Sequence, residues 1–191
     1  MNSFRDFLVN NLDFKEGQLM QLDQVVNVVK LQKHDYLIKA GSICGFIGFV
    51  ESGVLRSYIL KGGNEFNIDF YLSGSFVSSY TSFLTRQPTN TNIQALSDST
   101  IYSISYPNYN NLLKSGVEWY RLGKLIADTL FLKKCRREKS LLMDSAEDRY
   151  NLLLKTYPLI EQLVAQYHIA SYIGIKPESL SRIKSLTYIN K

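Results

Sequence analysis

Residues 166–185, QYHIASYIGIKPESLSRIKS, constrain the fold more than any other part of the chain. Ala170 places a small side chain where one short helix can cross another at a steep angle. Gly174, four residues later, tolerates the positive φ that a tight turn requires. Pro177 suits the first turn of a following helix, because its missing N–H would have had no partner there. This spacing predicts a helix-turn-helix with Leu180 facing inward.

The second helix of this unit has a polar outer face, because Ile183 joins Leu180 on the inner side. The early turns of such a helix enter the major groove of DNA. Arg182 has the forked donors that match guanine O6 and N7, and Glu178 can accept a hydrogen bond from the cytosine amino group. Short serines can reach phosphates or base edges, and lysines suit phosphate contacts. The candidate DNA-binding residues are Lys176, Glu178, Ser179, Ser181, Arg182 and Lys184.

The composition is that of a soluble globular protein, large enough for one large domain or two modest ones. The chain has 191 residues, of which 45% are hydrophobic and 20% are charged. A formal net charge of +5 favours an anionic partner but does not single out nucleic acid. Cys44 and Cys135 lie far apart, which argues against a disulfide framework and for a reducing cytoplasm. Neither a signal peptide nor an apolar run of membrane-spanning length is present, so we expect no membrane partner.

The chain before the helix-turn-helix changes pattern along its length. Residues 3–26 carry apolar side chains at helical spacing and predict short helices. Residues 28–106 contain short runs rich in Val, Ile, Phe and Tyr, separated by glycine or polar turns. This alternation is typical of an antiparallel sandwich or barrel. A short helix then opens at Pro107, and a long one is predicted over residues 118–143.

The long helix carries two apolar stripes. Leu125 and Leu132, seven residues apart, form the second of them. One face is expected to cover the barrel and the other to meet the same helix of a second subunit; the alternative is a core helix of a monomer. The apolar residues expected on this dimer helix are Trp119, Leu122, Leu125, Ile126 and Leu130.

Basic residues crowd the end of the long helix, with only Glu138 opposing them. Such runs are usually solvated faces, and cations also suit the negative end of the helix dipole, so phosphate contact is the less expected role. Ser145 and Asp148 then predict the capped start of another helix, which ends before Pro158. The basic residues are Lys133, Lys134, Arg136, Arg137 and Lys139.

This order of parts resembles the Crp–Fnr family of bacterial transcription regulators. The resemblance covers nearly the whole chain and is carried by VESGVLRSYIL (50–60), FNIDFYLSGSFV (66–77) and HIASYIGIKPESLSRIKS (168–185). It implies base-reading roles for Glu178 and Arg182, and a phosphate contact for Ser179. The family has an arginine where this chain has Pro177, so the half-site that is read should differ.

The resemblance implies an α+β protein in three segments. Residues 1–116 would form an antiparallel β-barrel, a jelly roll of the cyclic-nucleotide-binding type, with short N-terminal helices. Residues 117–144 would form the dimer helix, and residues 145–191 the helix-turn-helix domain. Only LTYINK follows the recognition helix, so the β-hairpin wing of the family is expected to be reduced or absent, with a shallower salt dependence of DNA binding.

The resemblance also implies an effector pocket in the barrel. The approximate alignment puts Ser79 where cyclic-AMP-binding members have a ribose-binding glutamate, and Thr89 and Asn90 where they have an arginine and a serine. Without a cationic partner the cyclic phosphate loses charge-assisted hydrogen bonds, so cyclic AMP is not expected unless a shifted alignment brings Arg86 into the site. A neutral ligand, or none, is the remaining expectation. The effector-pocket candidates are Ser78, Ser79, Thr89, Asn90 and Asn92.

Other chemistries find little support in the residues. An iron–sulfur cluster needs more thiols than the chain has, and haem ligation by His34 or Cys44 would rest on residue type alone. His34 and His168 are too few for a metal-dependent cupin-like enzyme, so no metal and no enzymatic activity are expected.

The sequence predicts a cytoplasmic, homodimeric regulator that binds double-stranded DNA in a sequence-specific manner. RNA polymerase is a candidate partner, and the effector stays unknown. The alternative is a ligand-binding or protein-interaction module whose helix-turn-helix does not bind DNA and is an ordinary hairpin with a solvated polar face.

Overall fold

The computed structural model describes residues 2–189, with side chains over residues 3–185. The chain divides into two compact units. The first contains the chain up to Ser57 together with Phe70–Phe131, and the second contains Tyr58–Asp69 together with the chain from Leu132 onward. The tip of one β-hairpin and the second half of the long helix therefore group with the C-terminal helices.

The strands form two antiparallel four-stranded sheets, in the orders β1-β8-β3-β6 and β2-β7-β4-β5. The first unit contains the whole of the first sheet and the parts of the second sheet that lie outside residues 58–69. In the first sheet, Val28 lies opposite Tyr102 and Ile47 lies opposite Ile104. The elements as far as the long helix are α1 (Asn2–Leu12), α2 (Glu16–Asp23), β1 (Val26–Leu31), β2 (Tyr36–Ile38), β3 (Phe46–Ser52), β4 (Val54–Lys61), β5 (Asn64–Leu72), β6 (Phe76–Val77), α3 (Tyr80–Thr85), β7 (Thr91–Ala95), β8 (Ser99–Ser105), α4 (Tyr106–Ser115) and α5 (Val117–Met143).

Glycine is required at the turn between β3 and β4. Gly53 has a φ of 93°, a conformation that other residues rarely adopt. A Cβ atom at this position would lie 2.6 Å from the carbonyl oxygen of Asp98. The tight turn therefore brings two long strands together only because residue 53 has no side chain.

Aromatic packing joins the N-terminal helices to the first sheet. Phe4 of α1 stacks on Phe49 of β3 with ring centroids 4.6 Å apart. Phe14 makes an edge-to-face contact with Trp119, whose indole Nε1 donates to Gln21 Oε1 over 2.8 Å. The first half of α5 is thus part of the core of the first unit.

The predicted stripe on α5 covers the barrel of its own chain. Trp119, Leu122 and Ile126 are buried in the core of the first unit, and Leu130 packs against it. Leu125 is half-buried. Leu132 of the second stripe is exposed. The other exposed apolar side chains described on α5 are Val117, Tyr120, Phe131, Leu141, Leu142 and Met143.

The second unit is mostly helical, and the predicted cap at its first helix is confirmed. Ser145 Oγ accepts from Asp148 N over 3.1 Å, while an Asp148 carboxylate oxygen accepts from Ser145 N over 3.3 Å. Helix α6 therefore begins directly after Ser145. The helices that follow α5 are α6 (Ala146–Thr156), α7 (Ile160–Leu163), α8 (Gln166–Ile173) and α9 (Pro177–Ile189).

Two local predictions differ from the structure. The run SFVSSY forms a strand only at Phe76–Val77, because helix α3 begins at Tyr80 and Ser82 of that helix accepts a hydrogen bond from Cys44 N. The recognition helix is also longer than the sequence pattern indicated, since α9 continues to Ile189. Helix α9 is the last element within residues 2–189.

Candidate nucleic-acid interface

The turn between α8 and α9 has the geometry that its sequence predicts. Gly174 ends α8 in the left-handed region, with a φ of 75° and a ψ of 34°. Ile175 N donates to the carbonyl oxygen of Ala170 over 3.0 Å, which satisfies one of the carbonyls at the end of the helix. Ala170 and Leu180 are fully buried, as expected for the contact between the two helices. Ile183 is only half-buried.

The outer face of α9 presents most of the predicted DNA-binding residues to solvent. Glu178 and Arg182 are exposed, and within the described residues neither forms an ion pair. They lie four residues apart, so they share one face of the helix. Their hydrogen-bonding groups are therefore available to base edges. The other exposed candidates around this face are Lys176, Ser179 and Ser181.

Lys184 is arranged differently from the other candidates. Its ammonium group lies 2.6 Å from Glu161 Oε1, and both side chains are mostly buried. The Tyr150 hydroxyl donates to the same carboxylate oxygen over 2.7 Å. Burial opposes ionisation of Glu161, but the hydrogen bonds from Lys184 and Tyr150 outweigh it and hold the pKa of the carboxyl below its ordinary value. Lys184 thus ties α9 to α7, which leaves it less free to contact phosphate.

A β-hairpin tip holds the other helix of the motif. Ser171 of α8 donates through Oγ to the carbonyl oxygen of Glu65 and accepts from Asn67 N, both over 3.0 Å. The side-chain amide of Asn67 lies 3.3 Å from Nδ1 of the buried His168. These contacts explain why a polar histidine can sit inside the motif: it has a partner from a distant strand.

The same hairpin tip is bound by the second half of α5. Arg137 donates from Nε to the carbonyl oxygen of Ile68 over 2.8 Å and from Nη2 to that of Asn67 over 2.9 Å. Asp69 pairs with Lys133 over 2.7 Å and accepts from the Tyr157 hydroxyl over 3.1 Å. The sequence placed Lys133 and Arg137 in a basic run without these partners, and it did not identify Asp69 or Tyr157. Contacts across about 60 to 90 positions leave no local pattern.

The effector-pocket candidates lie in the first unit and bond to neighbouring side chains or to backbone. Ser79 Oγ donates to Thr89 Oγ1 over 2.8 Å, and Thr89 Oγ1 also accepts from Thr91 N over 3.0 Å. Asn92 Oδ1 accepts from Ala40 N over 3.0 Å. Asn90 Oδ1 accepts from the Thr91 hydroxyl over 3.4 Å.

Ser78 and Arg86 are engaged in the same way as these candidates. Ser78 Oγ donates to the carbonyl oxygen of Phe46 and lies 3.3 Å from Cys44 Sγ. Arg86 donates to the carbonyl oxygen of Cys44 over 2.8 Å and stacks over the ring of Tyr106 at 4.3 Å. The polar groups around this region therefore already have intramolecular partners.

The first unit contains a small apolar cavity, and its candidate haem ligands are one exposed histidine and one buried cysteine. Its cavity of about 10 Å³, lined by apolar residues such as Phe49, Trp119 and Ile126, is about the size of one water molecule. His34 is exposed and Cys44 is buried, as the sequence suggested. Over residues 2–189 no group of three or more His, Cys, Asp or Glu side chains is placed to hold a metal ion. None of the helices described is both long and apolar enough to span a membrane.

Known proteins share a domain and the fold with this chain. Residues 28–115 match the family model of the cyclic nucleotide-binding domain. No curated protein matches the sequence. The structure of CLP, a c-di-GMP-responsive global regulator from Xanthomonas campestris, is similar with 16% identity, coverage of 92% of this chain and 93% of that one, and a TM-score of 0.70.

Two further solved structures give the same picture. FixK2 from Bradyrhizobium japonicum shares 17% identity over 87% of this chain and 86% of its own, with a TM-score of 0.72. A protein from Eubacterium rectale, described as a transcriptional regulator of the crp/fnr family, shares 17% identity over 93% of this chain and 85% of its own, with a TM-score of 0.69. The chain thus has the fold of Crp–Fnr transcription regulators, and the α+β class predicted from the sequence is confirmed.

Proposed function

We propose that this protein is a transcription regulator that binds double-stranded DNA through α9. The observation that supports this most is the contrast within α9: Leu180 is fully buried, whereas Glu178 and Arg182 are exposed without an ion pair among the described residues. A helix that packs through one face and exposes an arginine and a glutamate on the other is suited to reading bases in the major groove. In this arrangement Arg182 reads a guanine and Glu178 reads a cytosine.

The regulator acts as a homodimer on paired half-sites. The exposed apolar side chains of Tyr120, Phe131 and Leu132 on α5 support this part of the proposal, since their burial against a second copy would remove apolar surface from water. Two recognition helices related by a two-fold axis would contact half-sites about 34–36 Å apart, one turn of DNA. In a cytoplasmic regulator of this kind, RNA polymerase is the candidate partner for transcriptional output.

The barrel serves as a sensing or scaffolding domain that does not bind cyclic AMP. Thr89 and Ser79 support this, because they bond to each other where cyclic-AMP-binding members are expected to hold the nucleotide. Arg86 is held by the Cys44 carbonyl and the Tyr106 ring, so its use for a cyclic phosphate would require those contacts to break.

The test is selection of binding sites from random duplexes at fixed, moderate salt, with the purified protein and with Arg182→Ala. We expect enrichment of a palindrome with half-sites about one helical turn apart, and loss of that enrichment in the variant. Lys155→Ala, which removes an exposed positive charge from α6, is the matched control and should enrich the same site as the unaltered protein. Equal affinity of Arg182→Ala and unaltered protein for the selected DNA would instead support an interaction module that does not read DNA through α9.

A further inference from the structure

The second unit contains a cavity of about 50 Å³ where α5, α6 and the end of α8 meet. It lies away from the outer face of α9, since none of its lining residues belongs to that helix. The side chains around it combine four cations with hydroxyl groups and a few apolar residues. The polar lining residues are Lys133, Arg136, Arg137, Ser140, Arg149, Thr156 and Tyr172.

The charged side chains that line this cavity are all positive. Of the residues that line it in the described part of the chain, none is Asp or Glu. Lys133 has a carboxylate partner in Asp69, at 2.7 Å. Arg136, Arg137 and Arg149 form no ion pair with any residue that the structure describes. Three guanidinium groups thus share one cavity without a matching set of negative charges.

Two of these guanidinium groups are held in place by backbone carbonyls. Arg149 donates from Nε to the Ile173 carbonyl oxygen and from Nη1 to that of Asp144, each over 2.8 Å. Arg137 is held by two carbonyls of the hairpin tip and stacks on the ring of Tyr172 at 4.2 Å. A guanidinium group has five N–H donors, so each arginine keeps donors beyond those that the carbonyls use. The groups are therefore oriented before any ligand arrives.

The positive charges in this region act against each other. Burial lowers the pKa of the Arg137 guanidinium from its ordinary value, and the charge of Arg149 lowers it further, against opposing contributions from Tyr172 and Asp69. Burial raises the pKa of Tyr172 to about 12, so its hydroxyl stays protonated at neutral pH. Ser140, which is only 6% exposed, adds a hydroxyl. An anion between the arginines would offset their repulsion and accept hydrogen bonds from the surrounding groups.

We propose that this cavity binds a phosphate group, as the free ion or as part of a small phosphorylated ligand, between Arg136, Arg137 and Arg149. A cavity of about 50 Å³ has room for a group larger than one water molecule, such as a phosphate. Guanidinium forks suit phosphate because they donate two parallel hydrogen bonds. The bound phosphate links the end of α5 to α6, and so stabilises the break between these helices.

This inference does not depend on DNA binding by α9. A competing explanation is that the same arginines contact the backbone of DNA. Carbonyls of the fold hold Arg137 and Arg149, whereas contacts to a DNA backbone need side chains that reach a passing duplex, so a discrete phosphate is favoured. The experiment therefore measures phosphate binding without DNA.

The experiment is calorimetric titration of the full chain with inorganic phosphate in a phosphate-free buffer of low ionic strength, with sodium chloride at matched ionic strength as the blank. We expect saturable binding of phosphate and none of chloride. Arg149→Gln should weaken binding about tenfold or more, since it removes a charge-assisted hydrogen bond. Arg136 is an exposed lining residue that forms no ion pair among the residues described. Arg136→Gln therefore covers the case in which Arg149→Gln does not fold, and it should weaken binding by about threefold.

Lys134→Gln is the matched control, because Lys134 is exposed on the same helix but does not line the cavity. It should leave phosphate affinity unchanged. No binding of phosphate beyond the chloride blank would overturn the proposal, as would equal weakening by Lys134→Gln and Arg136→Gln, which would indicate general attraction to a basic surface.

A second titration with glucose 6-phosphate distinguishes the sources of the phosphate group. Tighter binding of the sugar phosphate than of inorganic phosphate would identify a phosphate monoester as the ligand, with its organic part at the mouth of the cavity near the exposed Leu141. Tighter binding of inorganic phosphate would identify the free ion. Either result supports the site, whereas a duplex oligonucleotide that binds through Arg149 while phosphate does not bind at all would assign the arginines to DNA.

Discussion

The polar residues of the barrel and those of α9 look alike in the sequence but differ in how their hydrogen bonds are used. Ser79 and Thr89 bond to each other, and Asn92 bonds to a backbone amide, so these side chains stabilise the loops that carry them. Glu178 and Arg182 point outward and form no ion pair among the described residues. A polar group that is already satisfied must lose a partner before it can bind a ligand, whereas an exposed group need only lose water. The comparison favours α9 as the binding surface of the molecule.

The largest effect should come from the buried side of α9. Leu180→Ala removes a fully buried side chain and should reduce the free energy of unfolding of the second unit by about 2–5 kcal/mol. Hydrogen exchange measured by mass spectrometry should be faster in α8 and α9 of the variant than in the same helices of the unaltered protein. The increase should be smaller in β3 and β8. Ser181→Ala, at the exposed neighbouring position, should leave exchange unchanged. Equal exchange in both variants would show that α9 does not depend on its packing.

Substitutions on the exposed side of α9 should change DNA affinity without changing stability. Arg182→Ala should cost about 1–3 kcal/mol of binding free energy, or about 5- to 150-fold in Kd, for the selected duplex. Arg182→Lys should recover little, because a lysine lacks the fork that binds guanine at two points. Fluorescence anisotropy at fixed salt gives the Kd, and thermal unfolding checks stability. A large fall in Tm for Arg182→Ala would mean that this side chain is structural after all.

Substitution of the barrel residues should change stability rather than ligand or DNA affinity. Ser79→Ala breaks the 2.8 Å hydrogen bond to Thr89 and should reduce the free energy of unfolding by about 0.5–1.5 kcal/mol. Urea unfolding followed by tryptophan fluorescence reports this change, since Trp119 lies in the core of the first unit. Ser179→Ala on the exposed face of α9 is the matched control and should leave stability unchanged. If Ser79→Ala left stability unchanged but altered the response to a small molecule, the barrel would be an effector site after all.

The smallest effect concerns the pH dependence of the second unit. The pKa of Glu161 is held below its ordinary value of 4.5, so the folded state favours the ionised form more than the unfolded state does. The stabilisation that Glu161 contributes is present above the ordinary pKa and is lost as the pH falls below it. Glu161→Gln should flatten the fall in unfolding free energy on the acid side, measured by urea unfolding at a series of pH values. An unchanged slope would mean that the contact with Lys184 is not maintained in solution.

Local signals account for the elements that the sequence predicted well. Ala170, Gly174 and Pro177 each act within one or two helical turns, and the structure confirms the turn and both helices around them. The Ser145 cap is equally local and is also confirmed. Helix α3 was missed because the run SFVSSY has the apolar content of a strand, while contacts such as that between Cys44 and Ser82 come from elsewhere in the chain.

Long-range contacts account for what sequence reasoning could not reach. The sequence predicted that the basic run at the end of α5 is a solvated face. In the structure, Arg137 donates to two carbonyls of a hairpin about seventy residues earlier. No local pattern marks Arg149 of α6, and the structure brings it to the cavity that Arg137 also lines. Likewise, the apolar stripe of α5 could cover its own barrel or a second subunit, and the structure assigns Trp119, Leu122 and Ile126 to the barrel.

The amino-acid order alone was sufficient for the helix-turn-helix and the capped helix before it, because these depend on backbone conformation and on side chains within a few residues. It was also sufficient for most of the exposed face of α9, since periodicity separates Leu180 from Arg182 without knowledge of any partner. It was not sufficient for Lys184, which the structure pairs with Glu161. Which polar groups are already satisfied, and which cations share a cavity, was decided only by the folded chain. Hydrogen bonding and charge repulsion act through space over a few ångströms, and residues such as Asn67 and His168 become neighbours only when distant segments pack together.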